Sequence, residues 1–136
     1  MNAIRRAIVP ALAPLLLAGC YFGQTAAKFE PALGPRGVST TITTAVGKDV
    51  TGELLEVGDE GLLVDTVQGV ALVPYAIIRD GTFAQTGIRI QGGHVPGAST
   101  REKLRLLSRF PQGLSPALLK TLLEAHGQTE VTRVGR

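Results

Sequence analysis

From Val38 to about Ile90 the apolar residues come in short runs separated by turn formers, at a spacing of about ten residues. Ser39 to Val46 is rich in Thr, Ile and Val, the β-branched types that suit a pleated surface. Gly47-Lys48-Asp49 interrupts it, and Val50 to Val57 follows. Gly58-Asp59-Glu60-Gly61 precedes a third run, Leu62 to Val67, which Gln68-Gly69 closes as a two-residue hairpin turn. Val70 to Val73 is the fourth run. Pro74 to Asp80 reads as a break with room for one helical turn, and Thr82 to Ile90 as a fifth strand bent at Gly87.

Beyond Gly92 the period changes from two to that of a helix. Ser99-Thr100-Arg101-Glu102 has the spacing of a capping box, with Ser99 as N-cap and a helix to about Phe110. Leu104, Leu106, Leu107 and Phe110 then share one face, and Arg101, Arg105 and Arg109 form a stripe on the other. Ser115 and Pro116 start a second helix, with Leu118, Leu119, Leu122 and Leu123 on its apolar side and Gly127 at its end. The short connection predicts an αα-hairpin.

This pattern gives a mainly β chain with C-terminal α structure. The expected architecture is a five-stranded barrel or a curled antiparallel sheet, followed by the helical hairpin. Val50-Thr51-Gly52-Glu53-Leu54 and Val73-Pro74-Tyr75-Ala76-Ile77-Ile78 resemble SH3-like and Sm-like barrels, in which a short helical turn also separates the fourth and fifth strands. No ligand motif of either family accompanies the resemblance.

The first twenty residues follow a different rule. Arg5 and Arg6 precede an apolar stretch, Ala7 to Ala18, which is too short to span a bilayer core needing roughly 20 helical residues. It ends in Leu17-Ala18-Gly19-Cys20, which resembles the lipobox of bacterial lipoprotein signal peptides. The resemblance implies that the Cys20 thiol is diacylated, that the bond before it is cut, and that Cys20 begins the mature chain. The chain would then hang from a membrane by its acyl chains, facing the periplasm. Tyr21, where an Asp commonly holds such proteins in the inner membrane, favours the outer membrane. The expected organisation is 1–19 signal peptide, 20–37 acylated Cys and tether, 38–92 β domain, 93–98 linker, 99–127 helical hairpin and 128–136 tail.

Charge and residue types narrow the function. The precursor has 14 Lys+Arg against 11 Asp+Glu, and loss of Arg5 and Arg6 leaves the mature chain nearly neutral. The acidic residues concentrate before Thr86 and the basic ones after Gly87. An acidic β half repels phosphate, which argues against nucleic acid. Cys20 is the single cysteine, so no intrachain disulfide forms. His94 and His126 have no acidic or thiol neighbours at zinc-ligand spacing, and no nucleophile motif is present. No catalytic residue, metal or cofactor is therefore expected. Asp59, Glu60, Asp65 and Asp80 are turn carboxylates that could gather on one rim around a cation.

The expected function is a non-enzymatic binding or scaffolding module of the cell envelope. Its partners would be the lipid bilayer through acylated Cys20 and an envelope protein. The arginine stripe is the expected contact for an acidic partner or lipid headgroups. The alternatives are a peptidoglycan-binding SH3-like module and a hydrolase with a cryptic site.

Overall fold

The computed structural model describes residues 36–136. The expectations for Leu17, Ala18, Gly19 and Cys20, and for most of the tether, lie outside the described residues. Within them no helix is long and apolar enough to cross a membrane.

Seven strands form one sheet in the order β6-β5-β1-β2-β3-β4-β7. They are β1 (Ser39–Thr44), β2 (Asp49–Val57), β3 (Gly61–Thr66), β4 (Gly69–Pro74), β5 (Ile78–Phe83), β6 (Arg89–Gln91) and β7 (Thr132–Arg133). A 3₁₀ turn, Tyr75–Ile77, joins β4 to β5 where the break was expected. Helices α1 (Ala98–Leu107) and α2 (Pro116–Ala125) lie between β6 and β7.

Three expectations change. The sheet has seven strands and is not closed, so the curled sheet holds and the five-stranded barrel does not. The expected fifth strand starts earlier, at Ile78, and is cut in two by a turn in which Gln85 (φ 62°) and Gly87 (φ 69°) adopt left-handed backbone. β7 was not foreseen. Two residues carry too little pattern to read, and they pair parallel with Ala71 and Leu72 while every other pair is antiparallel.

The sheet curls around one main core. Ile90 on β6 and Val134 just after β7, at opposite ends of the strand order, share a buried cluster with Ile42, Leu54, Val64 and Val73. Alternation sends the other side chains to the opposite face: Leu62 and Val64 of β3 join the main core, and Leu63 packs in a second cluster. At β2 a bulge between Leu54 and Glu56 lets adjacent leucines serve both. Leu54 and Leu55 are each fully buried, the first in the main core and the second in the other cluster.

The helices divide along the same line. Leu104 of α1 enters the main core, and Leu123 of α2 the second cluster. They pack on different strands, α1 on β2 and α2 on β4, which replaces the expected αα-hairpin. The first helix also starts and stops earlier than expected. Gly97 is its N-cap, no side chain caps it, and Ser99 lies inside it. It ends at Leu107, because Arg109 and Phe110 donate their N–H groups to the bulge carbonyls of Leu54 and Leu55 (2.9 and 3.0 Å). The second helix follows its signals: Leu118 N–H donates to Ser115 Oγ, Pro116 is N1, and Gly127 (φ 67°) closes a Schellman turn in which Gln128 N–H reaches Leu123 O at 2.8 Å.

Candidate functional site

The register of the sheet opens a cleft. β2 and β3 pair from Gly52–Thr66 onward, so Asp49, Val50 and Thr51 run past the end of β3 and pair only with β1. Lys48 and this stretch form one wall. The β3–β4 turn forms the second, and Thr132 with Val134 the third. The cleft is half open to solvent and its volume is about 350 Å³, within the range of small-molecule sites.

Floor and rim differ in character. Val50, Ala71 and Val134, all at least nine-tenths buried, are members of the main core. Lys48, Asp49, Thr51, Gln68 and Thr132 supply a cation, a carboxylate, two hydroxyls and an amide around them. Val67, 98% exposed, is an apolar lip.

Both flanking turns are pinned by a threonine. Thr44 Oγ1 donates to Lys48 O (2.6 Å) and accepts from Lys48 N–H (3.2 Å). Thr66 Oγ1 donates to Gly69 O (2.8 Å) and accepts from Gln68 N–H (3.1 Å). The rim is thus held by local bonds before any ligand arrives, which lowers the ordering cost of binding. The arrangement binds by hydrogen bonds over an apolar floor.

The residues singled out from sequence lie elsewhere. Arg101, Arg105 and Arg109 do not project as a solvent stripe; their side chains are 36%, 37% and 33% exposed and each meets an acidic residue. Arg101 lies 3.8 Å from Asp59, with its Nε buried without an acceptor. Arg105 takes Glu102 through two nitrogens (2.6 and 2.8 Å) and donates to Pro111 O. Its guanidinium draws the Glu102 carboxyl below its ordinary range. Arg109 lies 3.7 Å from Glu53 and stacks over the Phe110 ring at 5.3 Å.

The four turn carboxylates do not meet on one rim. Asp59 goes to Arg101, Glu60 to Arg133, Asp65 to His126 and Asp80 to Arg89. With Arg109–Glu53, four arginine–carboxylate pairs and the Asp65–His126 contact join the acidic first half to the basic second half. The charge asymmetry of the sequence is therefore largely neutralised within the chain. Among the described residues no three potential metal ligands gather.

His94 is exposed in its loop. His126, the C-cap of α2, has Nε2 2.7 Å from Asp65 Oδ1, and no described Ser or Thr hydroxyl bonds to it. The sequence pattern marks both turns of the cleft, at Gly47-Lys48-Asp49 and Gln68-Gly69, but not the residues that line it. No family model, curated protein or solved structure matches the chain.

Proposed function

We propose that this chain is a bacterial lipoprotein, tied to a membrane through acylated Cys20 and facing the periplasm. Its β domain acts as a non-enzymatic binding or scaffolding module of the cell envelope. The observation that carries the reading is Leu17-Ala18-Gly19-Cys20 at the end of the apolar stretch behind Arg5 and Arg6. Two acyl chains on one residue supply durable anchoring, at about 0.8 kcal/mol per buried methylene. Tyr21 directs the protein to the outer membrane in this reading.

The cleft is where the module takes its partner. Its threonine-pinned turns and apolar floor support this. We read the domain as SH3-like in strand order, since β5 returns through a 3₁₀ turn to pair with β1, with β6 and β7 added at the two ends.

Metabolic labelling with a clickable fatty acid tests the anchor. The wild-type chain incorporates label in the membrane fraction and Cys20→Ala does not. Label retained by Cys20→Ala, or an unlabelled wild-type chain in the cytosol, ends the reading.

The hydroxyl- and amide-rich rim favours a second reading, a peptidoglycan-binding module. Purified sacculi would then retain the wild-type chain and lose the Thr132→Ala/Gln68→Ala variant. Equal recovery of both, or of neither, rejects it.

A further inference from the structure

We infer that the face around Arg36, Lys103, Leu106 and Arg109 rests on the anionic headgroups of the membrane that holds Cys20, so that the cleft points away from the bilayer. This rests on the lipoprotein reading and adds an orientation to it.

The first argument is where the chain enters the domain. Sixteen residues lead from Cys20 to Arg36, a contour of at most about 55 Å. They arrive beside the end of α1: Gly37 N–H donates to Glu53, Val38 N–H donates to Leu107 O at 2.9 Å, and a Cβ on Gly37 would lie 2.7 Å from Arg109 N. The chain from the anchor therefore enters the domain on this face, which favours it over the cleft end for contact with the bilayer. β1 then carries the chain about 17 Å to the turn that walls the cleft.

The second argument is composition. Arg36, Lys103, Arg105 and Arg109 stand here against Glu53 and Glu102. Arg36 and Lys103 are exposed, and among the described residues Lys103 has no ion pair. Leu106 is 55% exposed on the outer side of α1, one turn from Lys103. Cations interspersed with an exposed leucine match an anionic interface, in which the apolar group enters the headgroup layer and the cations stay at its surface.

The test uses the acylated full-length protein in nanodiscs. Acylation consumes the one native thiol, so an introduced Gln112→Cys, next to the Pro111 carbonyl that Arg105 binds, or Val67→Cys, at the cleft lip, is the sole labelling site. A fluorophore at each is quenched by headgroup-spin-labelled lipid. In phosphatidylglycerol-containing discs the Gln112 position is quenched far more than the Val67 position, and high salt or pure phosphatidylcholine reduces the contrast. Arg36→Gln/Lys103→Gln lowers the ratio of face-down to face-up protein roughly thirtyfold, the loss of two surface cations beside an anionic leaflet. Equal quenching at both positions overturns the inference, as does a contrast indifferent to lipid charge, salt and the double variant. The intact mass separates the two readings: an unacylated product removes the anchor and the orientation together, whereas an acylated product without contrast removes the orientation alone.

Discussion

The side-chain amide of Gln128 closes on both main-chain polar groups of Val70. Its Oε1 accepts from Val70 N–H at 2.7 Å and its Nε2 donates to Val70 O at 3.2 Å. The amide thus stands in for a strand residue on the edge of β4, just where β7 begins to pair with Ala71. Nε2 also donates to Thr132 Oγ1 (3.2 Å), which ties the start of β7 to the same point. Val70 is fully buried, so its polar groups have no ready access to water.

Gln128→Ala therefore leaves a buried donor and acceptor unpaired, at a cost of about 1–3 kcal/mol. The denaturant midpoint falls by the corresponding amount with the slope unchanged. Gly69→Ala acts on the same contact from the other side, because its Cβ would sit 2.4 Å from Gln128 Oε1 and its φ is +128°. The two losses combine less than additively, since one contact is removed once. Full additivity would show that the amide does not hold this edge.

This edge also marks the limit of what the sequence discloses. Gly, Pro and Ser at turn positions placed the first four strands, the 3₁₀ turn and both ends of α2 within one to three residues, because those signals act locally. The C-terminal end of α1 departs from its sequence signals for a tertiary reason: the bulge carbonyls of Leu54 and Leu55 capture Arg109 and Phe110, and no nearby residue encodes that. The same holds for Gln128, which looks like an ordinary polar residue after a helix cap. The cleft was half legible, since its two turns could be marked but their convergence with Thr132 depends on a two-residue strand. The arginine spacing predicts a stripe, but the carboxylate partners of Arg101 and Arg109 lie dozens of residues away in the chain.

The split of the helices between two clusters makes a graded prediction. Leu104, fully buried in the main core, loses about 2–5 kcal/mol on truncation to Ala. Leu123 is 7% exposed in a smaller cluster and falls toward the low end of that range. Leu106→Ala changes stability by no more than about 0.5 kcal/mol, being mostly exposed. Urea unfolding of the three variants checks the order. A Leu106 effect as large as that of Leu104 would restore the wider apolar helix face expected from periodicity.

Acid should weaken the fold through the pairs that join its halves. Hydrogen bonds from Arg89, at 2.6 and 2.9 Å, hold the Asp80 carboxyl below its ordinary value, and Arg133 does the same to Glu60. A carboxyl whose folded pKa is depressed contributes above its unfolded pKa, and that contribution disappears as pH falls through the folded value. The loss thus begins near pH 4 and continues below it. Both pairs are exposed, so the effect is modest and shrinks in salt. Arg89→Gln is slightly less stable than wild type near pH 7, and the gap closes as pH falls below about 4, so its acid limb is flatter; an acid limb identical to wild type would rule out Asp80 as a contributor.

Tyr75 gives the opposite limb. Its ring is 1% exposed beneath the β2–β3 turn, and its hydroxyl donates to Gly58 O at 2.9 Å. Burial pushes the phenol up to about 12, against an ordinary value of 10.0. With the folded pKa raised, the stabilisation is whole below pH 10 and is lost as pH climbs toward 12. Tyr75→Phe keeps the packing and deletes the hydrogen bond, leaving the Gly58 carbonyl unpaired, at a cost of about 0.5–1.5 kcal/mol near neutral pH. It also removes the group that titrates, so the gap between wild type and variant narrows across that alkaline window. Paired denaturant titrations at neutral and alkaline pH, with phenolate absorbance followed in parallel, measure both effects. If the gap stays constant as pH rises through 10, or if absorbance shows the buried phenol ionising at its ordinary value in the folded protein, then the hydroxyl is not held in the buried, neutral state described here.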